Sequence, residues 1–400
     1  MSSHLMPLKE SERYVSIDIL RGFAILGIFL VNMPAFYSPF LYLNPDTYWK
    51  EGIDSALDAF VDVFAQASFY PLFAFLFGYG AIMIAERSKL KGMSFPLLFT
   101  RRLLILLVFG CIHAFLIWHG DILITYAITG FMFLLFYELK GKTLLITGLL
   151  LYIIPFGLLS LLSFFMMMIP DMDMNKLLYN NEAVLASLQI YSEGSFSDIT
   201  SQRIEDWMSV NGPANAWLLV INILPLMMCG AAFAKQGWLV NVNQHKKLLR
   251  SLMIVGLIGG LFLKLLPYLQ GSNYANMIVQ DFFGGPLLAL FYITLIVLIV
   301  QNSAVLKVMK PLANVGRMSI SNYLLQSIVF TLVFYGYGFG LYGSISYLTG
   351  FVLVLVFYSL QVVLSKWWIS RFQYGPVEYV WRWGTYGQKP TFKRKREMEQ

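Results

Sequence analysis

Three groups of polar side chains interrupt a chain otherwise suited to hydrocarbon, and each is of a type that does chemistry. The first lies in SIDILRGFAILGIFLVN, Ser16 to Asn32. Asp18 and Arg21 stand three residues apart, which puts an acid and a base on one helix face. Asn32 comes fourteen residues after Asp18, close to four turns and about 21 Å along the helix, so that face is polar at both ends. An amide there can stabilise a developing oxyanion or bond a neighbouring helix. The second group is CIHAFLIWHGDIL, with His113 and Asp121. Imidazole titrates near neutrality, so His113 suits a general base or transient nucleophile, with Asp121 to orient it; a hydrogen-bonded packing histidine is the plainer alternative. The third is GRMSISNYLLQS, where Ser319, Asn322 and Gln326 recur at spacings of three and four. That stripe either lines a cavity or binds another helix. Arg317, with Arg101 and Arg102, places guanidinium groups at one rim, suited to phosphate or to anchoring on an inner membrane face. His119 reads as interfacial, and His4 and His245 lie in polar segments.

The elements that must hold these groups are membrane helices. Of 400 residues, 58% are hydrophobic and only 13% charged, too little polar surface for a soluble protein of this size. A span needs about 20 mostly apolar residues. Ten runs qualify by length and composition: 17–38, 57–85, 103–119, 121–137, 143–169, 214–235, 248–269, 279–301, 316–335 and 345–369. With the amino terminus inside, 24 Lys and Arg residues fall in inner segments and three, Lys50, Lys176 and Arg203, in outer loops. Arg21 and Lys264 fall within spans. The expected fold is an all-α, polytopic bundle of about ten transmembrane helices in the cell membrane, with both termini cytoplasmic. It forms one membrane domain over 1–387, with an external loop over 170–213 that carries amphipathic helix near 181–191. A basic cytoplasmic tail over 388–400 follows. The first apolar run is too long for a signal-peptide core of roughly 7–15 residues and is expected to remain as a span. The KRKR run of the tail suits anionic lipid; it is short and has no aromatic stacking surface, which disfavours nucleic acid.

Other motifs fail their context. Gly338 to Gly343 fits GxGxxG but follows no strand, and Gly141-Lys142-Thr143 lacks the first glycine of a phosphate loop, Phe136 standing there. Gly78-Tyr79-Gly80 lies inside a continuous apolar run, unlike a potassium filter. The two cysteines, Cys111 and Cys229, sit in apolar runs as buried thiols, and no HExxH or paired Cys/His set supports a metal.

The chain resembles the YeiB-like bacterial membrane proteins, domain-of-unknown-function family 418. The likeness rests on RYVSIDILRGFAILGIFLVN (Arg13 to Asn32), on the stretch from His113 to Gly130, and on GRMSISNYLLQS, FYGYGFGLYG and RFQYGPVEYVWRWGTYG in the carboxyl third. Its amino-terminal stretch is also similar to that of the heparan-glucosaminide acetyltransferases, multi-pass enzymes thought to carry an acyl group from cytosolic acetyl-CoA to a sugar on the far side. That resemblance implies a catalytic-region role for Asn32. Their functional histidine lies about a dozen residues later, where this chain reads FLYLNPDTY over 40–48, without histidine. Either His113 fills that role from another helix or the chemistry differs.

The expectation is a membrane-embedded acyltransferase. Acyl-CoA is the donor, held near Asp18, Arg21, Arg101, Arg102 and Arg317. His113, Asp121 and Asn32 are catalytic, and the acceptor is an envelope glycan or lipid-linked sugar. The competing expectations are a transporter of a small solute, for which a buried His–Asp pair suits proton coupling, and a non-catalytic lipid-binding subunit. A transporter is expected to show repeats or broken helices.

Overall fold

The computed structural model describes residues 14–50, 52–169 and 179–394. Among them there is no β-strand, and a lone antiparallel bridge joins Phe372 to Lys393. In chain order the helices are α1 (Val15–Tyr37), α2 (Pro45–Tyr48), α3 (Gly52–Phe64), α4 (Phe69–Leu90), α5 (Phe95–Ile112), α6 (Leu123–Phe133) and α7 (Gly141–Met166). Two helices, α8 (Asn181–Glu193) and α9 (Phe196–Asn211), precede α10 (Pro213–Gln236), α11 (Val242–Lys264), α12 (Leu266–Gln270) and α13 (Tyr274–Val279). The chain closes with α14 (Gly285–Ile299), α15 (Ser303–Arg317), α16 (Ser319–Phe334), α17 (Tyr347–Arg371) and α18 (Pro376–Tyr386). Single π-turns extend α5 over His113–Ile117 and join α13 to α14 over Gln280–Gly284.

Among the described residues eight helical runs are long and apolar enough to cross a membrane, and two shorter apolar helices, α6 and α16, stand at the fourth and ninth expected spans. The protein is therefore an all-α multi-pass membrane bundle. Its apolar side chains face outward as well as inward: Leu150, Ile154, Leu158 and Leu161 of α7 are exposed, as lipid-facing residues are. Both cysteines are free thiols.

Glycines set the closest crossings. A Cβ on Gly22 of α1 would lie 2.0 Å from the Leu312 carbonyl oxygen, and one on Gly316 would lie 1.9 Å from that of Asp18. The same exchange locks α4 to α10, where Gly78 meets Met227 and Gly230 meets Phe75, each at 1.9 Å. Small residues let backbones approach where lipid supplies no hydrophobic drive between helices.

The expected span 57–85 is two helices rather than one. α3 stops at Phe64, α4 starts at Phe69, and Ala67 between them holds φ at 55°, a region side chains avoid. The Ala67 carbonyl fits against Gly285, where a Cβ would come within 2.2 Å. Residues 303–317, read as an inner loop, form α15, which packs along α1.

The carboxyl-terminal helix packs on α5 and on the start of α16. Trp381 of α18 donates its indole N–H to the Arg102 carbonyl (2.8 Å), and Glu378 accepts from the Ile320 and Ser321 backbone N–H groups at the start of α16 (2.8 and 3.0 Å). The tail expected to be solvated from 388 folds back as far as residue 394. Gln373 N–H donates to the Phe392 carbonyl (2.9 Å), and the Phe392 ring stacks near Phe372 and Tyr379. The KRKR run falls partly outside the described residues, as do 170–178 of the expected external loop. That loop contains two helices, α8 and α9, where one was read. We call the two ends of the bundle the basic end and the hairpin end.

Candidate active site

His113 and Asp121 are eight residues apart, a spacing that would set them about 12 Å apart along one helix. The chain instead turns back. The π-turn closes with Trp118 N–H donating to the His113 carbonyl (2.8 Å), and residues 118–122 then lead into α6. Gly110 permits this: a Cβ there would meet Ile124 N at 2.7 Å and Asp121 Oδ2 at 3.2 Å. Asp121 Oδ2 accepts from the Ile124 backbone N–H (2.8 Å), at the helix terminus where an anion is favoured. Its other oxygen lies 2.8 Å from His113 Nδ1.

The third member was not singled out in the sequence. Ser327 Oγ lies 2.9 Å from His113 Nε2, from a helix 214 residues away. With the carboxylate on Nδ1–H, Nε2 carries the lone pair and accepts the serine proton, a tautomer assigned from this network. One turn earlier, Tyr323 donates its hydroxyl to the Gly120 carbonyl (3.0 Å) and sets its ring 5.0 Å from the imidazole. The His113 and Asp121 side chains have no exposed surface. An acid, an imidazole and a hydroxyl in this order form the arrangement that activates a nucleophile.

Asn32 is half-buried on α1, between Phe29, which packs on Phe330, and Phe36, which packs on Trp118. Its helix face is therefore turned to the layer that holds the triad, although it makes no hydrogen bond to it. The polar stripe of α16 binds another helix. Asn322 donates to Ser365 Oγ (3.1 Å), Gln326 to Gln361 Oε1 (2.8 Å), and Gln361 to the Asn322 carbonyl (2.9 Å). Ser319 is half-buried at the start of the helix.

At the basic end Asp18 and Arg21 pair at 3.3 Å, as their spacing implies. Arg21 and Arg382 lie within electrostatic reach of Arg102, whose guanidinium stacks 3.4 Å over the Trp381 ring. Arg317 ends α15, and Arg101 is exposed on α5, next to Arg102 in the chain. Burial holds the Glu378 carboxyl of α18 above its ordinary pKa, partly offset by hydrogen bonds from Ser321.

α8 and α9 cover the triad at the hairpin end. Asp206 accepts from Tyr42 and Tyr191 (both 2.6 Å) and from Gln202 (2.7 Å), and Arg203 Nη1 donates to the Phe115 carbonyl of the π-turn (3.0 Å). His119, read as interfacial, is buried here, 3.4 Å from the Tyr191 hydroxyl and 3.8 Å from Asp206. Burial pushes its pKa below the usual 6.5, against the pull of Asp206. A second polar cluster stands apart: buried Lys264 pairs with Asp281 (3.3 Å) and approaches Asp62 (4.0 Å), which also accepts from Tyr268 (2.9 Å) and Gln280. Among the described residues, no group of three or more His, Cys, Asp or Glu side chains is placed to hold a metal ion.

Comparison with known proteins bears on the whole chain. Residues 233–388 match the family model described as "Protein of unknown function (DUF418)". The chain is 37% identical to the uncharacterised protein YxaH of Bacillus subtilis (strain 168), over 96% of this chain and 97% of that protein. It is 30% identical to the uncharacterised protein YeiB of Escherichia coli (strain K12), over 93% and 96% of the two chains. An uncharacterised 39.9 kDa protein encoded in the amylase 3′ region of Bacillus acidopullulyticus is 29% identical over 98% and 99%. On this near full-length likeness to its relatives, the chain belongs to the DUF418 family of YeiB-like membrane proteins.

Proposed function

We propose that this protein is an acyltransferase of the cell membrane, taking an acyl group from cytosolic acyl-CoA and delivering it to a hydroxyl or amine of an envelope-side glycan or lipid-linked acceptor. The observation that carries this reading is the hydrogen-bonded Asp121–His113–Ser327 chain. Ser327 Oγ attacks the thioester carbonyl while His113 Nε2 takes its proton. The C–S bond breaks, and CoA leaves as the thiol with that proton. The acceptor then attacks the acyl-serine, His113 takes the acceptor proton, and Ser327 recovers it as its ester bond breaks. Asn32 stabilises the oxyanion from α1. Arg21 and Arg102 hold the CoA phosphates at the basic end, joined in this role by Arg317 and Arg101. Because the triad is fully buried, α8 and α9 must lift for the acceptor to enter.

Thermal unfolding of detergent-purified protein with acetyl-CoA, longer acyl-CoAs and free CoA tests the donor half. A ligand bound by the folded state alone raises its stability by about 2.7 kcal/mol at a hundred times its Kd. The expected result is a rise with CoA compounds that Arg21→Gln weakens; no rise with any of them overturns the reading.

One observation favours a proton-coupled carrier instead. The break at residues 65–68 and the two π-turns interrupt three apolar runs, as discontinuous helices do around transport sites. Proteoliposomes that acidify or alkalinise on solute addition, without CoA release from acyl-CoA, would decide for that alternative.

A further inference from the structure

Arg203 is fully buried at the hairpin end, yet only one of its nitrogens is hydrogen-bonded: Nη1 donates to the Phe115 carbonyl. Nε and Nη2 are buried without a partner. These two nitrogens are neighbours on one side of the planar guanidinium, the edge that grips a carboxylate or phosphate with two parallel bonds. The Phe196 ring, 5.7 Å away, offers only its face.

The local carboxylate does not fill that edge. Asp206 is one turn further along α9, and its two oxygens are taken by Tyr42, Tyr191 and Gln202. Tyr335, within electrostatic reach of Arg203, has a buried hydroxyl that is also unpartnered. Trp118 and Trp207, which flank the Phe115 turn, each bury an indole N–H without an acceptor. Every one of these groups can donate. Buried donors without acceptors are uncommon in folded proteins, and the open edge of Arg203 with the Tyr335 hydroxyl within its reach suits an oxyanion.

We propose that the open edge of Arg203 and the Tyr335 hydroxyl form a binding site, beneath α8 and α9, for the phosphate or carboxylate of an anionic acceptor molecule. The inference rests on the acyl-transfer reading for the word acceptor, and on geometry alone for the anion. The site lies in the layer directly over the triad, since Phe115 belongs to the same π-turn as His113. An acceptor held there by its charge presents a neighbouring hydroxyl toward His113 as α8 and α9 close.

The test is equilibrium binding to the purified full chain, followed by calorimetry and thermal shift. The probes are inorganic phosphate, acetate, dihexanoyl phosphatidate and, as a neutral control, dihexanoylglycerol. Wild type is expected to bind at least one anion saturably and to ignore the neutral lipid. Arg203→Lys, which keeps the charge and loses the two-pronged edge, should weaken binding about tenfold or more, and Tyr335→Phe several-fold. Preference for phosphatidate over inorganic phosphate assigns the anion to a lipid; equal binding assigns it to a free phosphate group. Absence of saturable binding by wild type, or equal binding by wild type, Arg203→Lys and Tyr335→Phe, overturns the site. Because no donor or turnover enters this experiment, Arg203-dependent binding without acyl transfer would keep the anion site and reject the transferase. Acyl transfer with no anion binding would do the reverse.

Discussion

Among the described residues one π-turn ends α5 and another joins α13 to α14, and each stands beside a basic side chain paired with acid. At the first, His113 meets Asp121 with both side chains wholly removed from solvent. At the second, Lys264 is as deeply buried, but Asp281 and Asp62 keep 36% and 28% of their side chains exposed. A lysine ammonium inside a membrane protein needs counter-charge, and here it takes two acids that keep part of their side chains exposed. It braces α11 to α3 and to the turn before α14. The imidazole at the first turn is hydrogen-bonded on both nitrogens, with Asp121 holding Nδ1 while Nε2 faces the Ser327 hydroxyl. On the acyl-transfer reading proposed above, the difference separates a group that holds charge still from one that moves a proton.

Mutations that exchange the two roles would break this contrast. The largest effect is expected for His113→Gln, which should lower acyl transfer by about 10²–10⁴-fold while thermal stability changes little. Ser327→Ala should fall in the same range, with no acyl group left on the protein after exposure to donor. If Ser327→Ala keeps activity within a few-fold, the serine is only a packing partner of the imidazole. Lys264→Met should show the opposite pattern. Breaking a buried pair costs about 3–5 kcal/mol, but the exposure of both acids reduces this to roughly 1–3 kcal/mol. Chemical denaturation should report that loss, with turnover of the surviving protein near wild type.

Smaller effects sharpen the picture. Arg21→Gln should raise the KM for acyl-CoA about tenfold and leave kcat unchanged, because it sits at the basic end, away from the triad. The smallest effect concerns His119, which faces Asp206, Arg203, Tyr191 and His113. Its folded pKa lies below the unfolded value of 6.5, so between the two the unfolded chain binds more protons. Its contribution is therefore intact above pH 6.5 and declines as the pH falls through that window. After correction for the slower intrinsic exchange at lower pH, the protection of amides over 181–211 should fall on going from pH 7.5 to 5.5, and His119→Gln should flatten that dependence.

Much of the scaffold was legible because hydrocarbon imposes long apolar runs. The break at 65–68 was not: Gln66 and Ser68 are two short polar interruptions that a span can carry, and the kink depends on Gly285 receiving the Ala67 carbonyl. His113 and Asp121 could be marked by residue type, and Asp18 with Arg21 by spacing. Ser327 could not be joined to them, because 214 residues separate it from His113 and only the packing of α16 unites them. Gln326, one position earlier, attracted notice through its periodicity and turned out to bind Gln361. Arg203 looked like one of three stray outer cations. Its meaning came from burial, which no loop sequence discloses.

The most direct test of the proton-moving triad is CoA release from acetyl-CoA by the purified protein in lipid nanodiscs, comparing wild type, His113→Gln and Lys264→Met, with intact-mass detection of an acetyl group on the chain. The expected result is rapid release and a single adduct for wild type and Lys264→Met, both abolished by His113→Gln. Release no faster than the uncatalysed rate, or equal in wild type and His113→Gln, would contradict it.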